Sequence, residues 1–225
     1  MTALCVFDVD GTLATTNGAD SQIFTTIVKQ ALDIDAINSN WANYRYSTDS
    51  GIIQELFAKY RQRQPSVDEL QTIRMRYITA LQQTLTQNQQ MCQAIAGAQT
   101  IFHRIRQLGD WDIALATGAW HESAHLKLSA AQIPHQSLPK AYADDHWQRS
   151  VIIQTAIERA QKQYQRASYQ RIVYVGDQPW DQQAAQALAI EFVGIGDADF
   201  SELIPVMDNY LQPTLINFLT QTMTT

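Results

Sequence analysis

Two aspartates, Asp8 and Asp10, stand where a short apolar run ends in Leu4-Cys5-Val6-Phe7-Asp8-Val9-Asp10-Gly11-Thr12-Leu13. The run has the length of a buried strand. Asp8 falls at its carboxyl end, where open α/β sheets bind their ligands. Asp10, two residues on, points into the same crevice, and Gly11 lets the backbone turn sharply away. Such a pair can run covalent chemistry at phosphorus. One carboxylate attacks and becomes an aspartyl phosphate. The other protonates the leaving oxygen and then activates water. The plain alternative is a strand end closed by an Asp-Gly turn.

Asp8-Val9-Asp10-Gly11-Thr12-Leu13 resembles motif I of the haloacid dehalogenase-like superfamily in its phosphatase form. Three further stretches resemble the family's remaining motifs in order. Thr117-Gly118 resembles motif II, where a hydroxyl and free backbone N–H groups hold phosphoryl oxygens; by itself it also reads as a helix cap. Gly176-Asp177-Gln178-Pro179-Trp180-Asp181 resembles motif IV, whose carboxylates hold magnesium, a cation that prefers hard oxygen ligands beside a phosphate. Gln178 departs from the small residue that often follows this Gly-Asp. Motif III is a Lys or Arg opening the preceding helix. Arg149 is the favoured match and Lys140, slightly earlier, the alternative.

The resemblance implies a role for each residue. Asp8 is the nucleophile and a magnesium ligand. Asp10 is the general acid and base, with its backbone carbonyl on the metal. Thr117 and Gly118 bind phosphoryl oxygens, Arg149 neutralises developing charge, Asp177 binds Mg²⁺, and Asp181 supports it. An aspartate at position 10 indicates phosphate-ester hydrolysis or phosphoryl mutation rather than dehalogenation. Gathered at one sheet edge, four carboxylates repel: two about 5 Å apart do so by about 3 kcal/mol at an effective dielectric near 20. A divalent cation removes that cost and positions the nucleophile.

One signal points to a different enzyme class. His121-Glu122-Ser123-Ala124-His125 spells H-E-x-x-H, a zinc-protease signature on a helix. Ala131 stands where a third histidine would fall in one major subgroup. A surface histidine pair is the plainer reading, and Trp120 or His121 touching substrate is a third.

The elements that position these residues follow from hydrophobic periodicity. After a polar linker, Ala14 to Asp20, come helical stripes at Ile23, Phe24, Ile27, Val28, Ala31 and Leu32 and at Ile52, Ile53, Leu56, Phe57 and Tyr60. Ser66-Val67-Asp68-Glu69 forms a capping box opening a third helix. No strand is expected from 15 to about 90. From 91 onward helices alternate with strands, at Trp111 to Ala116, weakly at Gln136 to Tyr142, at Arg171 to Val175, and at Glu191 to Ile195. A closing helix is expected over Pro213 to Thr220. The expected fold is α/β, a Rossmann-like parallel-sheet core (residues 1–14 and 91–225) with an inserted all-helical domain (15–90). In the resemblance that insert matches a C1-type cap, which closes over the site and selects substrate. Within it, Tyr44 to Gly51 is the stretch expected to reach the site, with Arg45 and Tyr46, beside Trp120 of the core, as specificity candidates.

The chain has 225 residues, a formal net charge of −6 and 45% hydrophobic residues, enough for a sizeable core. Dispersed Lys and Arg disfavour nucleic acid as a partner. Two cysteines, no leader and no long apolar run predict a cytoplasmic protein off the membrane. The expected activity is Mg²⁺-dependent hydrolysis of a small phosphorylated metabolite. A phosphomutase of the same superfamily and a non-catalytic phospho-ligand-binding module are the alternatives.

Overall fold

A computed structural model describes residues 2–16, 18–200 and 203–221. Its centre is a six-stranded, all-parallel sheet ordered β5-β4-β1-β6-β7-β8. These strands are β1 (Ala3–Phe7), β4 (Trp111–Ala116), β5 (Lys140–Ala141), β6 (Arg171–Gly176), β7 (Glu191–Ile195) and β8 (Val206–Met207). β1 is central and wholly buried, as its unbroken apolar run requires. Alternate residues serve the two faces. Cys5, Phe7, Ile113, Leu115, Val173 and Val175 pack on one side, with Ile101, Phe102 and Ile105 of α4 (Ala98–Arg106) and Leu215 and Leu219 of α8 (Thr214–Thr220). Leu4, Val6, Ala114, Tyr174 and Phe192 pack on the other, against α6 (Arg149–Tyr164) and α7 (Pro179–Ala187).

The chain leaves β1 for β4 on one side and later returns to β6 on the other. The carboxyl end of β1 therefore lies at a reversal of strand order, where doubly wound sheets open a crevice. Between β1 and α4 the chain inserts three α-helices, α1 (Ala19–Leu32), α2 (Asp49–Arg61) and α3 (Val67–Gln87). The predicted capping box opens α3, with Ser66 and Glu69 each bonding the other's backbone. The chain enters and leaves this helical insert through paired two-residue strands, β2 (Ala14–Thr15) and β3 (Gln93–Ala94), antiparallel to each other. Thr15 thus lies in a strand, and Asp20 in the first turn of α1 rather than in a linker. Only Lys140 and Ala141 of the weak 136–142 candidate form strand. No described helix is long and apolar enough to cross a membrane.

Candidate active site

Asp8 directly follows β1, and its N–H donates to Val175 O at 2.9 Å, which carries the ladder one residue past the strand. The next residues fold back at once. Gly11 adopts φ +70°, and a Cβ there would overlap the Asp177 carboxylate. Glycine is thus required by both conformation and close approach. The turn brings motif I against Asp177, which follows β6. One carboxylate oxygen from each of Asp8, Asp177 and Asp181 lies within 4.8 Å of the others.

Asp181 is buried in the first turn of α7 and its oxygens are committed. It accepts from Gln178 N at 3.2 Å, from the Tyr174 hydroxyl at 3.1 Å, and from Arg149 Nη1 at 2.9 Å. Gln178, the departure from the family pattern, donates Nε2 to Asp177 Oδ2 at 2.6 Å and so orients that carboxylate. Arg149 opens α6 and reaches Asp8 Oδ1 at 3.2 Å. Lys140 Nζ instead caps the Gln136 and Leu138 carbonyls, so it is Arg149 that stands at the carboxylates.

Thr117 follows β4, and its hydroxyl hydrogen-bonds Asp8. A Cβ on Gly118 would press on Arg149 Nη2 and Ser47 O, so the residue keeps room for the guanidinium. Burial lifts the Asp8 carboxyl to about 6, with Asp181 adding to the rise and Arg149 opposing it. Asp177 is raised for the same leading reason, with Asp181 and Asp8 contributing.

A second cation sits beside the first pair of aspartates. Lys127, on α5 (His121–Ala130), has 2% of its side chain exposed, and its ammonium lies 2.5 Å from Asp10 Oδ1 and 3.2 Å from Asp20 Oδ2. Burial alone would lower its pKa, but Asp10, Tyr77, Asp20 and Asp49 together hold it well above the usual lysine value. Burial raises Asp10 to about 6 despite the opposing lysine. The sequence reading did not single out Lys127. The signal was its position: it shares a helix face with Ala124, Leu128 and Ala131, where an apolar residue is expected.

The helical insert closes the site through residues 47–50. Ser47 O accepts from Arg149 Nη2 at 2.8 Å, and Asp49 N donates to Gly118 O at 2.8 Å. Trp120 N donates to Asp49 Oδ2 at 2.9 Å, and the Ser50 hydroxyl bridges Trp120 Nε1 and Ala143 O. The Tyr44 to Gly51 stretch therefore reaches the site, but through Ser47, Thr48 and Asp49. Arg45 is exposed with its guanidinium 5.1 Å from the Tyr46 ring, and neither residue lines the cavity. Trp120 does not line it either: it is buried behind the wall, against Phe24 and Tyr77. The cavity is about 690 Å³, open to solvent on one side, and includes Asp8, Asp10, Thr117, Gly118, Arg149 and Asp177 in its lining.

The H-E-x-x-H stretch is engaged elsewhere. Glu122 pairs with Arg74 of α3, His125 Nδ1 lies 3.0 Å from His135 Nε2, and the rings of His121 and His125 are 6.4 Å apart. Glu122 is tied to the insert rather than poised as a base.

Comparison with known proteins agrees with this geometry. The family model described as haloacid dehalogenase-like hydrolase matches residues 5–195. The chain belongs to the haloacid dehalogenase-like hydrolases. Among solved structures, it is similar to a hydrolase from Pseudomonas syringae at 18% identity, with 97% of this chain and 98% of that one covered and a TM-score of 0.70. CbbY from Rhodobacter sphaeroides in complex with phosphate gives 15% identity, 95% and 96% coverage, and a TM-score of 0.69. A mutant of CbbY bound to xylulose-(1,5)bisphosphate gives 15%, 93% and 95%, and 0.68. No curated protein matches the chain in sequence.

Proposed function

We propose that this hydrolase is a Mg²⁺-dependent phosphatase that cleaves a small phosphorylated metabolite through an aspartyl phosphate on Asp8. The observation that carries the reading is the pairing of Asp8 with Arg149 at the end of the central strand, with Asp10 at the mouth of the same cavity. The carboxylate oxygens of Asp8 and Asp177 suit a hard divalent cation, and the family resemblance adds the carbonyl of Asp10. Bound there, Mg²⁺ would neutralise phosphoryl oxygens and draw the Asp8 and Asp177 pKa values back down. Asp181, saturated by Arg149, Tyr174 and Gln178, fixes the arginine rather than serving as a ligand.

The chain's own residues supply the remaining chemistry. An Asp8 oxygen forms a bond to phosphorus as the ester P–O bond breaks, and Asp10 gives its proton to the departing alcohol oxygen. A pKa near 6 suits a group that must release and recover a proton close to neutrality. Water then attacks phosphorus, Asp10 takes its proton, and the bond to Asp8 breaks to free phosphate and restore the carboxylate. Thr117, the Gly118 backbone and Arg149 face the transferring oxygens. The helical insert acts as a cap, excluding water while its residues 47–50 rest on the core.

Phosphate release from small phosphoesters, with Mg²⁺ and with EDTA, tests this reading. Release that requires the metal and vanishes in Asp8→Asn is expected. Release that persists in a folded Asp8→Asn protein would remove Asp8 as nucleophile.

A further inference from the structure

The cavity's charge goes further than the reaction class and concerns what the phosphate is attached to. Six aspartates line it among the described residues: Asp8, Asp10, Asp20, Asp49, Asp177 and Asp199. Only two cations face them, Lys127 and Arg149, and both are already engaged. Arg149 is divided among Asp8, Asp181 and the Ser47 carbonyl. Lys127 is held between Asp10 and Asp20. At pH 8, even with a bound divalent cation and with Asp10 carrying the proton it gives up, the remaining five carboxylates outnumber the positive charge, so one phosphoryl group is provided for and a second anionic group is not. Arg45 is directed onto Tyr46, and Arg74 is taken by Glu122 and Asp144. On the side away from the sheet the walls are aromatic and neutral polar, with Phe24, Trp41 and Tyr77 next to Asn40 and Thr48.

Resting on the phosphatase reading, we infer that the substrate is a phosphomonoester whose alcohol portion carries no negative charge, being a neutral polyol or an amino alcohol. Bisphosphates and phosphorylated hydroxy acids are disfavoured. A second anion would enter a partly desolvated space facing Asp20, Asp49 and Asp199 with no free cation to meet it, and like charges at close range in such surroundings repel strongly. An ammonium group on the alcohol would instead meet carboxylates and aromatic faces, both of which attract cations. A mutant of CbbY, by contrast, holds a bisphosphate.

A size-matched series separates charge from shape: phosphoethanolamine, ethylene glycol monophosphate and phosphoglycolate, assayed with Mg²⁺ at pH 8. The two non-anionic esters are expected to exceed phosphoglycolate in kcat/KM by about tenfold or more, the order of one unpaired charge repulsion across such a cavity. Calorimetric binding of the same esters to Mg²⁺-loaded Asp8→Asn protein reads selectivity without turnover. Phosphoglycolate bound or cleaved as well as ethylene glycol monophosphate would overturn the inference. Preserved binding order without hydrolysis of any ester would overturn the phosphatase reading and leave the selectivity standing. No binding of any of the three would overturn both. Asp20→Asn, which frees one side of Lys127, is expected to narrow the gap for phosphoglycolate, and an unchanged gap would contradict assigning it to charge.

Discussion

Two buried cations, each held between two carboxylates, divide the site. Arg149 lies between Asp8 and Asp181, and all three belong to the sheet and its flanking helices. Lys127 lies between Asp10 and Asp20, and Asp20 belongs to the helical insert. The first cluster is fixed by elements that fold together: β1, β6, α6 and the first turn of α7. The second is complete only when α1 rests over the core. Equal charge chemistry thus serves two purposes. In the proposed reaction the arginine cluster shapes the reacting centre, and the lysine cluster links Asp10, the proposed acid and base, to the position of the insert. Asp10 keeps 37% of its side chain exposed, whereas Asp8 keeps 5%, which suits the proposed proton exchange at Asp10 and the proposed attack from a fixed Asp8.

Breaking the first cluster has the largest expected effect. Arg149→Met leaves Asp8 facing Asp181 without a cation and removes a donor from the transferring phosphoryl group. We expect kcat to fall by about 10²- to 10³-fold, the usual cost of losing one transition-state donor. A loss below about tenfold, measured under saturating Mg²⁺, would mean that the arginine is structural only.

Lys127→Met breaks the second cluster and sharpens the contrast. It leaves two carboxylates without their buried partner, a change of the kind that costs about 3–5 kcal/mol of stability, measurable by urea unfolding. Its effect on kcat is expected to be smaller than that of Arg149→Met. Removing the ammonium also raises Asp10 further, so the alkaline limb of the kcat/KM profile moves to higher pH. A profile unchanged from wild type would separate Lys127 from the acid–base step.

Both clusters also set the response of the metal-free protein to pH. Burial raises Asp8 to about 6 and Asp49 to about 7, above their unfolded value of 3.8. Between these values the folded chain binds more protons than the unfolded one. Stability from these groups is therefore fully present below about 4 and is lost as pH rises through 6 to 7. The melting temperature without metal is expected to fall from pH 5 to pH 8, and Mg²⁺ to raise it more at pH 8. Equal stabilisation by Mg²⁺ at both pH values would place the cation away from these carboxylates.

The smallest effect is expected outside both clusters. Arg74 of α3 pairs with Glu122 and Asp144 of the core at the edge of the insert, and it is partly exposed. Arg74→Ala is expected to cost under about 1 kcal/mol of stability and to raise KM more than it lowers kcat. A loss of kcat comparable with that of Lys127→Met would move the link between insert and core to this ion pair.

Much of the sheet was legible because its strands are short apolar runs with polar residues at their ends. β1, β4, β6 and β7 fall where periodicity places them, and the aspartates stand at the ends of β1 and β6. What escaped depends on contacts between distant segments. The two-residue strands β2 and β3 carry no periodicity, and only their pairing defines them. Lys127 looked like an ordinary helix lysine until its helix face was known. Arg45 looked like the reaching residue of its stretch, yet the start of α2 presents Ser47, Thr48 and Asp49 to the core and turns Arg45 outward. The H-E-x-x-H spacing is a matter of helix period alone, and the partners of Glu122 and His125 decide that it holds no metal-protease base.

In the proposed reaction the phosphoryl group passes through Asp8. This is tested most directly with Asp10→Asn protein, Mg²⁺ and p-nitrophenyl phosphate, whose leaving group departs without needing a proton. The reaction is quenched in acid and the peptide carrying residue 8 is analysed by mass spectrometry. The account predicts a burst of p-nitrophenol and a phosphoryl group on Asp8 that accumulates because Asp10 no longer activates water. Turnover with no phosphoryl group on Asp8 at any time after mixing would contradict it.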